Sequence, residues 1–195
     1  MDPFIKEIQH INNVDDAINK LKTQTDISPK LIEIINFIIE AHEGQYRKSG
    51  EPYCVHPILV ACITAHFSKD EAIIATALLH DVVEDTYHSL GYIKERWGSD
   101  IAHMVDGLTK IVEIREHEFI PSNETSDSRI ISSALTFRKM LIASIDDVRV
   151  LIVKLCDRLH NMLTLQVLPT NKQRRIAEET LVVYVPIANR LGISN

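Results

Sequence analysis

The sequence predicts an all-α protein, folded as a multi-helix bundle. Apolar residues recur at the i, i+3, i+4 and i+7 spacing of an amphipathic helix, as in "SPKLIEIINFIIEAHEGQ". No segment alternates apolar and polar residues between turn signals, the pattern that is typical of a β-hairpin. With 195 residues, 45% of them hydrophobic and 25% charged, the chain has the composition of one globular domain with a sizeable core.

The first long helix is predicted to begin at Ser28, a natural N-cap, with Pro29 as its first helical residue. One face of this helix is apolar and is expected to be buried: Leu31, Ile34, Ile35, Ile38 and Ile39. The loop "GEPYCVHP", broken by Gly50 and Pro52, then delivers His56 to the start of a helix in "PILVACITAHF". The next segment, "KDEAIIATALLHDVVEDT", predicts one further helix that ends in a charged cluster.

Two shorter helices are predicted in "SLGYIKERWG" and "SDIAHMVDGLTKI". Residues 113–128 are polar and contain Pro121, so we predict a long loop there. Three helical stretches complete the chain: "RIISSALTFRKMLIASI", "DVRVLIVKLCDRLHNMLTL" and "NKQRRIAEETLVVYVPIANRLG". Residues 1–27 are interpreted as an N-terminal helical extension of a domain that spans residues 28–195.

Charge and cysteine content limit the class of protein. The formal net charge of -6 argues against a nucleic-acid binder, whose surface would carry a basic surplus. The three cysteines, Cys54, Cys62 and Cys156, lie in apolar surroundings and are interpreted as reduced core residues. The N-terminus lacks the pattern of a signal peptide, and no apolar run approaches the roughly 18 residues of a membrane span. We therefore expect a soluble cytoplasmic protein with neither DNA nor a membrane as partner.

An unusual cluster of ionisable residues ends the apolar run "AIIATALL": His80, Asp81, Glu84 and Asp85. Burying carboxylates costs several kcal/mol unless they are paired or bind a metal. On a helix, residues four apart share a face, which places His80 above Glu84 and Asp81 above Asp85. Histidine with aspartate is a ligand pair for a divalent cation such as Mn²⁺, Fe²⁺ or Zn²⁺.

Two residues elsewhere are candidates to complete a metal site. His56 stands at the head of a helix, and Asp157 interrupts the apolar helix "LIVKLCDRLHN". Each also has a structural interpretation, since His56 would serve equally as a packed or capping histidine. Asp157 would equally form an ion pair with Lys154 or Arg158.

Six motifs in order extend this interpretation: "RKSGEPYCVHP", "ALLHDVVEDT", "VDGLTK", "FRKML", "VRVLIVKLCDRLHNMLTL" and "RRIAEETLVVYVPIANRLG". The set closely resembles the hydrolase domain of the RelA/SpoT homologues, which are phosphohydrolases of the HD-domain superfamily that degrade the alarmones ppGpp and pppGpp. The resemblance covers about residues 28–193.

The resemblance implies a role for each candidate. It implies one Mn²⁺ ion held by four residues: His56, His80, Asp81 and Asp157. Glu84 and Asp85 would orient and activate the water that attacks the 3′-pyrophosphate, giving GDP or GTP and pyrophosphate. The nucleotide contacts would come from a further set: Arg47, Lys48, Ser49, Asn161 and Thr164.

A polyanionic substrate needs cations near so many carboxylates. The available basic residues are Arg47, Lys48, Lys110, Arg138, Lys139, Lys154 and Arg158. Planar arginine also stacks on a guanine ring, and a binding role is favoured most for Arg47 and Lys48. Two departures from many relatives are Leu163, where they carry arginine, and Cys156, where they carry alanine.

Three alternatives remain open from the sequence. The chain resembles the hydrolase part of a longer enzyme that continues into a synthetase domain, yet free-standing small hydrolases have a similar length. A catalytically silent regulatory module would bind the alarmone or a partner domain without turnover. An enzyme with another substrate would act on a different nucleotide phosphate, such as the 2′-phosphate of NADPH.

Overall fold

The computed structural model describes residues 2–117, 134–135, 137–138, 140–142 and 146–193, with the side chains of residues 112–117 left undescribed. The helices are α1 (Pro3–Ile8), α2 (Val14–Gln24), α3 (Pro29–Ala41), α4 (Val55–Phe67), α5 (Glu71–Leu79), α6 (Val82–Asp85), α7 (Leu90–Trp97), α8 (Ser99–His117), α9 (Arg149–Leu163), α10 (Thr170–Glu179) and α11 (Val185–Arg190). In these ranges the only extended pairing is an isolated bridge between Tyr46 and Pro52. The predicted all-α bundle is confirmed.

Helix α3 begins as its sequence predicts. The Ser28 hydroxyl accepts a hydrogen bond from the Leu31 amide at 3.2 Å, and Pro29 occupies the first helical position. Leu31, Ile34 and Ile38 are at most 1% exposed. The apolar stripe therefore faces the core, as the i, i+3, i+4 spacing predicts.

Helices α4 and α5 form the centre of the bundle. Every residue of α4 from Val55 to Ala65 is buried, because the helix is enclosed by α2, α5 and α9. A helix that is apolar on all sides can be accommodated only in such a position. No helix in the described ranges is long and apolar enough to cross a membrane.

The N-terminal helices pack into the same core. Phe4 and Ile8 of α1 and Ala17 and Leu21 of α2 are all at most 8% exposed, and they join the cluster that contains the α4 and α5 side chains. Residues 3–8 and 14–24 are thus helical, and α2 lies directly against α4. Phe4 of α1 also stacks on His66 at the C-terminal end of α4, with ring centres 4.3 Å apart.

The predicted single helix ending in "HDVVEDT" is wrong in one respect. Helix α5 ends at Leu79, and α6 begins at Val82. Asp81 has φ -100° and ψ -6°, which interrupts the regular helical ladder, and the His80 ring hydrogen-bonds the Ala77 carbonyl instead of extending outward. The Asp85 amide still donates to the Asp81 carbonyl at 2.9 Å, so the two residues remain one turn apart.

The predicted loop at residues 113–128 is wrong at its start. Residues 113–117 continue helix α8, since "EIREH" contains no glycine or proline and is rich in residues that favour a helix. The remainder of the predicted loop lies outside the described residues. Of the helix predicted in "RIISSALTFRKMLIASI", residues 134–135, 137–138 and 140–142 are described and helical.

The C-terminal segment is one helical rod with a wider turn in its middle. The residues Thr180–Tyr184 form a π-helical turn between α10 and α11. Arg158 of α9 reaches this turn: its guanidinium donates to the Thr180 hydroxyl at 2.8 Å and lies 4.4 Å from the Tyr184 ring centre. This contact fixes α10 beside α9, the helix that carries Asp157.

Candidate active site

The four predicted metal ligands converge from three parts of the fold. His56 lies in the first turn of α4, His80 and Asp81 in the turn between α5 and α6, and Asp157 in α9. Ligand atoms of His56, His80 and Asp157 all lie within 4.8 Å of one another. Asp81 Oδ1 is 3.0 Å from His80 Nε2, and Asp81 Oδ2 is 3.5 Å from His56 Nε2.

The His80 ring presents one nitrogen to this centre. Its Nδ1 donates to the Ala77 carbonyl at 2.8 Å, which leaves Nε2 as the nitrogen turned toward the carboxylates. This Nε2 is buried and has no hydrogen-bond partner, because the Asp81 carboxylate beside it is misaligned for one. An orphaned buried imidazole nitrogen among carboxylate oxygens fits a divalent cation.

A second histidine fixes the orientation of the His56 ring, as the Ala77 carbonyl does for His80. His56 Nδ1 lies 2.9 Å from His160 Nδ1, and both rings are buried. Two nitrogens at this distance share one proton, and when His56 carries it the Nε2 lone pair faces Asp157 Oδ1, 3.3 Å away. Burial lowers the pKa of His56 and of His160, which favours the neutral rings that a metal requires.

Asp157 has its two oxygens committed to different partners. Oδ2 accepts from Lys154 Nζ at 2.9 Å, and Oδ1, which faces the imidazoles, accepts from Asn161 Nδ2 at 2.5 Å. Burial opposes its charge, yet Lys154 and the neighbouring imidazoles hold the pKa of Asp157 well below its ordinary value. Asp157 therefore forms the ion pair with Lys154 and at the same time presents its other oxygen to the candidate metal centre.

Glu84 and Asp85 lie one turn after His80 and Asp81, in the short helix α6, and both are exposed. Partial burial and the negative charge of Asp81 raise the pKa of Glu84 to about 7. Asp85 Oδ2 accepts from the Tyr53 hydroxyl at 2.6 Å, and its carbonyl accepts from Gln45 Nε2 at 3.0 Å. Glu84 is thus suited to exchange a proton near neutral pH, while Asp85 is held in place.

A cavity of about 610 Å³ opens beside the candidate metal ligands. It is lined by His56, Asp81 and Asp157 and by all five predicted nucleotide contacts: Arg47, Lys48, Ser49, Asn161 and Thr164. Arg47 donates to Asn161 Oδ1 at 2.9 Å, and Asn161 in turn contacts Asp157. Its size lies within the roughly 300–1,000 Å³ range of small-molecule sites.

The fold and this centre agree with a known family. A family model described as HD domain matches residues 35–194. The chain belongs to the HD domain family. The match includes the residues of the candidate metal centre and those that line the cavity.

Two relatives are similar to this HD domain over about four-fifths of the chain. A GTP pyrophosphokinase of Myxococcus xanthus is 50% identical over 155 residues, 80% of this chain. The bifunctional (p)ppGpp synthase/hydrolase SpoT of Escherichia coli K12 is 45% identical over 79% of it. The chain spans about 20% of the length of each.

A solved structure gives the same picture for the fold. This structure is that of a metazoan ortholog of SpoT, which is described as hydrolyzing ppGpp and playing a role in starvation responses. It aligns with a TM-score of 0.61 at 26% identity, over 82% of this chain and 85% of its own.

Sequence reasoning missed part of the cavity wall of this HD domain. Tyr46, Tyr53, Lys172 and Arg175 also line it. Lys172 and Arg175 are three apart on α10 and so share a face, but the helix reaches the cavity only through its packing beside α9. The sequence signal was limited to a basic run, "KQRR", which is usually a solvated surface.

Other predicted cations are used differently. Lys110 pairs with Asp106 at 2.6 Å, and Arg158 pairs with Glu179 at 2.6 Å, although Arg158 also borders the cavity. Arg138 does not line the cavity, and Lys139 lies outside the described residues.

The two departures from relatives both face the core. Leu163 is 7% exposed and packs in the main apolar cluster, so its position does not border the cavity. Cys156 is 1% exposed in the same cluster, and burial raises the pKa of its thiol to about 12. An unreactive core cysteine accounts for that position.

Proposed function

We propose that this HD domain is a metal-dependent hydrolase of ppGpp and pppGpp that releases pyrophosphate from the 3′ position. The observation that carries the proposal is the buried, unpartnered His80 Nε2 in a His/Asp cluster that opens into a basic cavity. The bifunctional relative and the metazoan ppGpp hydrolase support the choice of substrate.

The donor set suits Mn²⁺, which we propose as the resident ion. It consists of imidazole nitrogens from His56 and His80 and carboxylate oxygens from Asp81 and Asp157, with no sulfur. Such sets bind Mn²⁺, Fe²⁺ or Zn²⁺. The bound ion supplies a lowered pKa for the attacking water and polarises the phosphoryl group.

The chain's own residues then carry out the proton transfers. Glu84, with its pKa near 7, accepts a proton from the attacking water, and Asp85 orients that water. The water oxygen adds to the phosphorus that is bonded to the 3′ oxygen. The bond between this phosphorus and the 3′ oxygen then breaks. Pyrophosphate is released, and the 3′ oxygen of GDP or GTP takes up a proton.

The cavity wall supplies the cations that the substrate needs. Arg47 and Lys48 line it, and we propose that they bind phosphate oxygens or stack on guanine. Lys172 and Arg175 of helix α10 line the same cavity and form a second cationic pair, suited to the remaining phosphates of a tetraphosphate or pentaphosphate. Asn161 and Thr164 also line the cavity and offer hydrogen bonds to the substrate.

The setting of the domain in a larger protein is part of the proposal. Because the relatives are about five times as long and one is bifunctional, we propose that a synthetase domain accompanies this hydrolase. We also propose a cytoplasmic location, since nucleotide alarmones are cytoplasmic metabolites.

A direct assay tests the proposal. Purified protein with Mn²⁺ and ppGpp should release pyrophosphate, and chelation should stop it. Asp81→Ala and Glu84→Gln should each lower the rate by at least about 100-fold, whereas Glu95→Gln on the exposed face of α7 should not. Turnover that persists in both site variants would contradict the mechanism.

The same assay separates the two alternatives. Competition with NADPH compares its 2′-phosphate with ppGpp as a substrate. Tight binding of ppGpp without turnover in Mn²⁺, Mg²⁺, Zn²⁺ and Fe²⁺ would instead support a regulatory module.

A further inference from the structure

Tyr53 joins the two halves of the candidate site. Its hydroxyl lies 3.0 Å from Asp81 Oδ2 and 2.6 Å from Asp85 Oδ2. Asp81 is a candidate metal ligand, whereas Asp85 belongs to the water-handling pair. No other described side chain is hydrogen-bonded to both of these carboxylates.

The hydroxyl has one proton for two acceptors. A phenol donates one full hydrogen bond, so the two carboxylates compete for it or share it. Two carboxylates close together also repel each other. A donor held between them offsets this repulsion and keeps both oxygens at a fixed distance from one point.

The Tyr53 ring is itself tightly held. It stacks on the buried ring of His42, with centres 4.8 Å apart and planes at 25°, and its centre lies 6.2 Å from that of the His56 ring, with planes at 79°. The backbone amide of Tyr53 donates to the Gln45 carbonyl at 2.9 Å. The hydroxyl therefore has little freedom to follow Asp85 if that side chain moves.

A closed circuit of hydrogen bonds links this loop to α6. Tyr53 bonds the Gln45 backbone, the Gln45 side chain bonds the Asp85 carbonyl at 3.0 Å, and the Asp85 carboxylate returns to the Tyr53 hydroxyl. His42 Nδ1 lies 2.8 Å from Gln45 Oε1 and orients the amide. Each member is thus fixed by the other two.

We propose that Tyr53 is a positioning residue that sets the Asp85 carboxylate relative to the metal ligand Asp81. This role rests on the proposed hydrolysis for its effect on turnover. Its effect on Asp81 concerns metal binding alone and does not depend on the substrate. Removal of the hydroxyl therefore affects two separate measurements.

The test compares Tyr53→Phe with Tyr92→Phe. Both variants lose one hydroxyl from a packed ring, but Tyr92 stacks on Phe37, and its oxygen accepts from Arg96, outside the site. Phenylalanine keeps the stacking of Tyr53 on His42, so the fold is retained. The measurements are Mn²⁺ affinity by calorimetry, and kcat and KM for ppGpp at saturating Mn²⁺.

We expect Tyr53→Phe to lower kcat by about 10- to 100-fold and to weaken Mn²⁺ binding by about tenfold, with little change in KM. Gln45→Ala opens the same circuit at another bond and should lower kcat in the same direction. A general loss of packing would change the unfolding temperature but would not produce this split between kcat and KM.

The outcomes are distinct. If Tyr53→Phe matches Tyr92→Phe in kcat at saturating Mn²⁺, the proposal is overturned. If the wild-type protein does not hydrolyse ppGpp, the proposed function fails, and Mn²⁺ affinity alone decides about Tyr53. In that case, equal affinities in the two variants would overturn its positioning role.

Discussion

At the scale of single residues, the site depends on how each ionisable group is constrained by its neighbours. His80 and Asp157 each have one polar atom occupied by the fold, by the Ala77 carbonyl and by Lys154, and one atom turned to the centre. Such outer contacts orient ligands before a metal arrives. Glu84 differs, because it is exposed and has a pKa raised to about 7.

Glu84 should determine the pH profile of hydrolysis. As a base it must be deprotonated, so kcat should rise with pH and level off with an apparent pKa no higher than about 7, since the bound cation lowers it further. Glu84→Gln should remove this limb of the profile as well as most of the rate. A profile with the same limb in Glu84→Gln would assign it to another group.

Lys154 should stabilise the metal-free protein. It is the mostly buried cation paired with Asp157, with 16% of its side chain exposed, and its loss leaves carboxylates uncompensated, which costs up to about 3–5 kcal/mol for a fully buried pair. Lys154→Met should therefore lower the free energy of unfolding in urea, and saturating Mn²⁺ should restore part of it. Lys94→Met on the exposed face of α7 is the control; an equal loss in both would exclude the ion pair as the cause.

At the scale of elements, the site is assembled from helix ends and from one helix in the C-terminal part of the chain. The first turn of α4 and the break between α5 and α6 supply three of the proposed ligands. Helix α9 supplies Asp157 and Asn161, and it also anchors α10 through Arg158. The cavity therefore exists only when α10 is in place.

Helix α10 should contribute to substrate affinity. The double variant Lys172→Ala and Arg175→Ala should raise KM for ppGpp by about 10- to 100-fold, as expected for lost charged contacts, with kcat nearly unchanged. Arg174→Ala is the matched control, because this neighbour pairs with Glu178 and does not line the cavity. A fall in kcat at constant KM would place the pair near the reacting phosphate instead.

The features that could be predicted from the sequence are those that depend on residues close together in the chain. The Ser28 cap and the α3 stripe are local patterns, and the structure confirms both. The His80-Asp81 doublet is equally local, and its role as a ligand pair stays a prediction. The break after Leu79 was missed because every residue there tolerates a helix. His160, Tyr53 and Arg175 were missed because their roles depend on contacts between segments distant in sequence.

At the scale of the whole molecule, metal and pH should act on stability together. Burial opposes charge on His80, but Asp81 and Asp157 outweigh it and raise the pKa of His80 to about 9. A group with a raised pKa stabilises the folded state below its unfolded pKa of about 6.5, and this contribution is lost as pH rises through 9. The protonated His80 thus takes the place of a cation when metal is absent.

Thermal unfolding should show both effects. The metal-free protein should lose stability between about pH 6.5 and 9, whereas the increase in melting temperature caused by Mn²⁺ should grow over the same range, because binding displaces the His80 proton. His80→Asn should remove the first effect, and substitution of the exposed His103 should not. A Mn²⁺ effect that weakens with rising pH would contradict this coupling.

The central claim is that one divalent ion occupies the cluster of His56, His80, Asp81 and Asp157. The most direct measurement is anomalous diffraction at the manganese edge from crystals grown with Mn²⁺. We predict one strong peak coordinated by His Nε2 atoms and by both carboxylates. A peak bound elsewhere, or none at a Mn²⁺ concentration that saturates catalysis, would contradict the account.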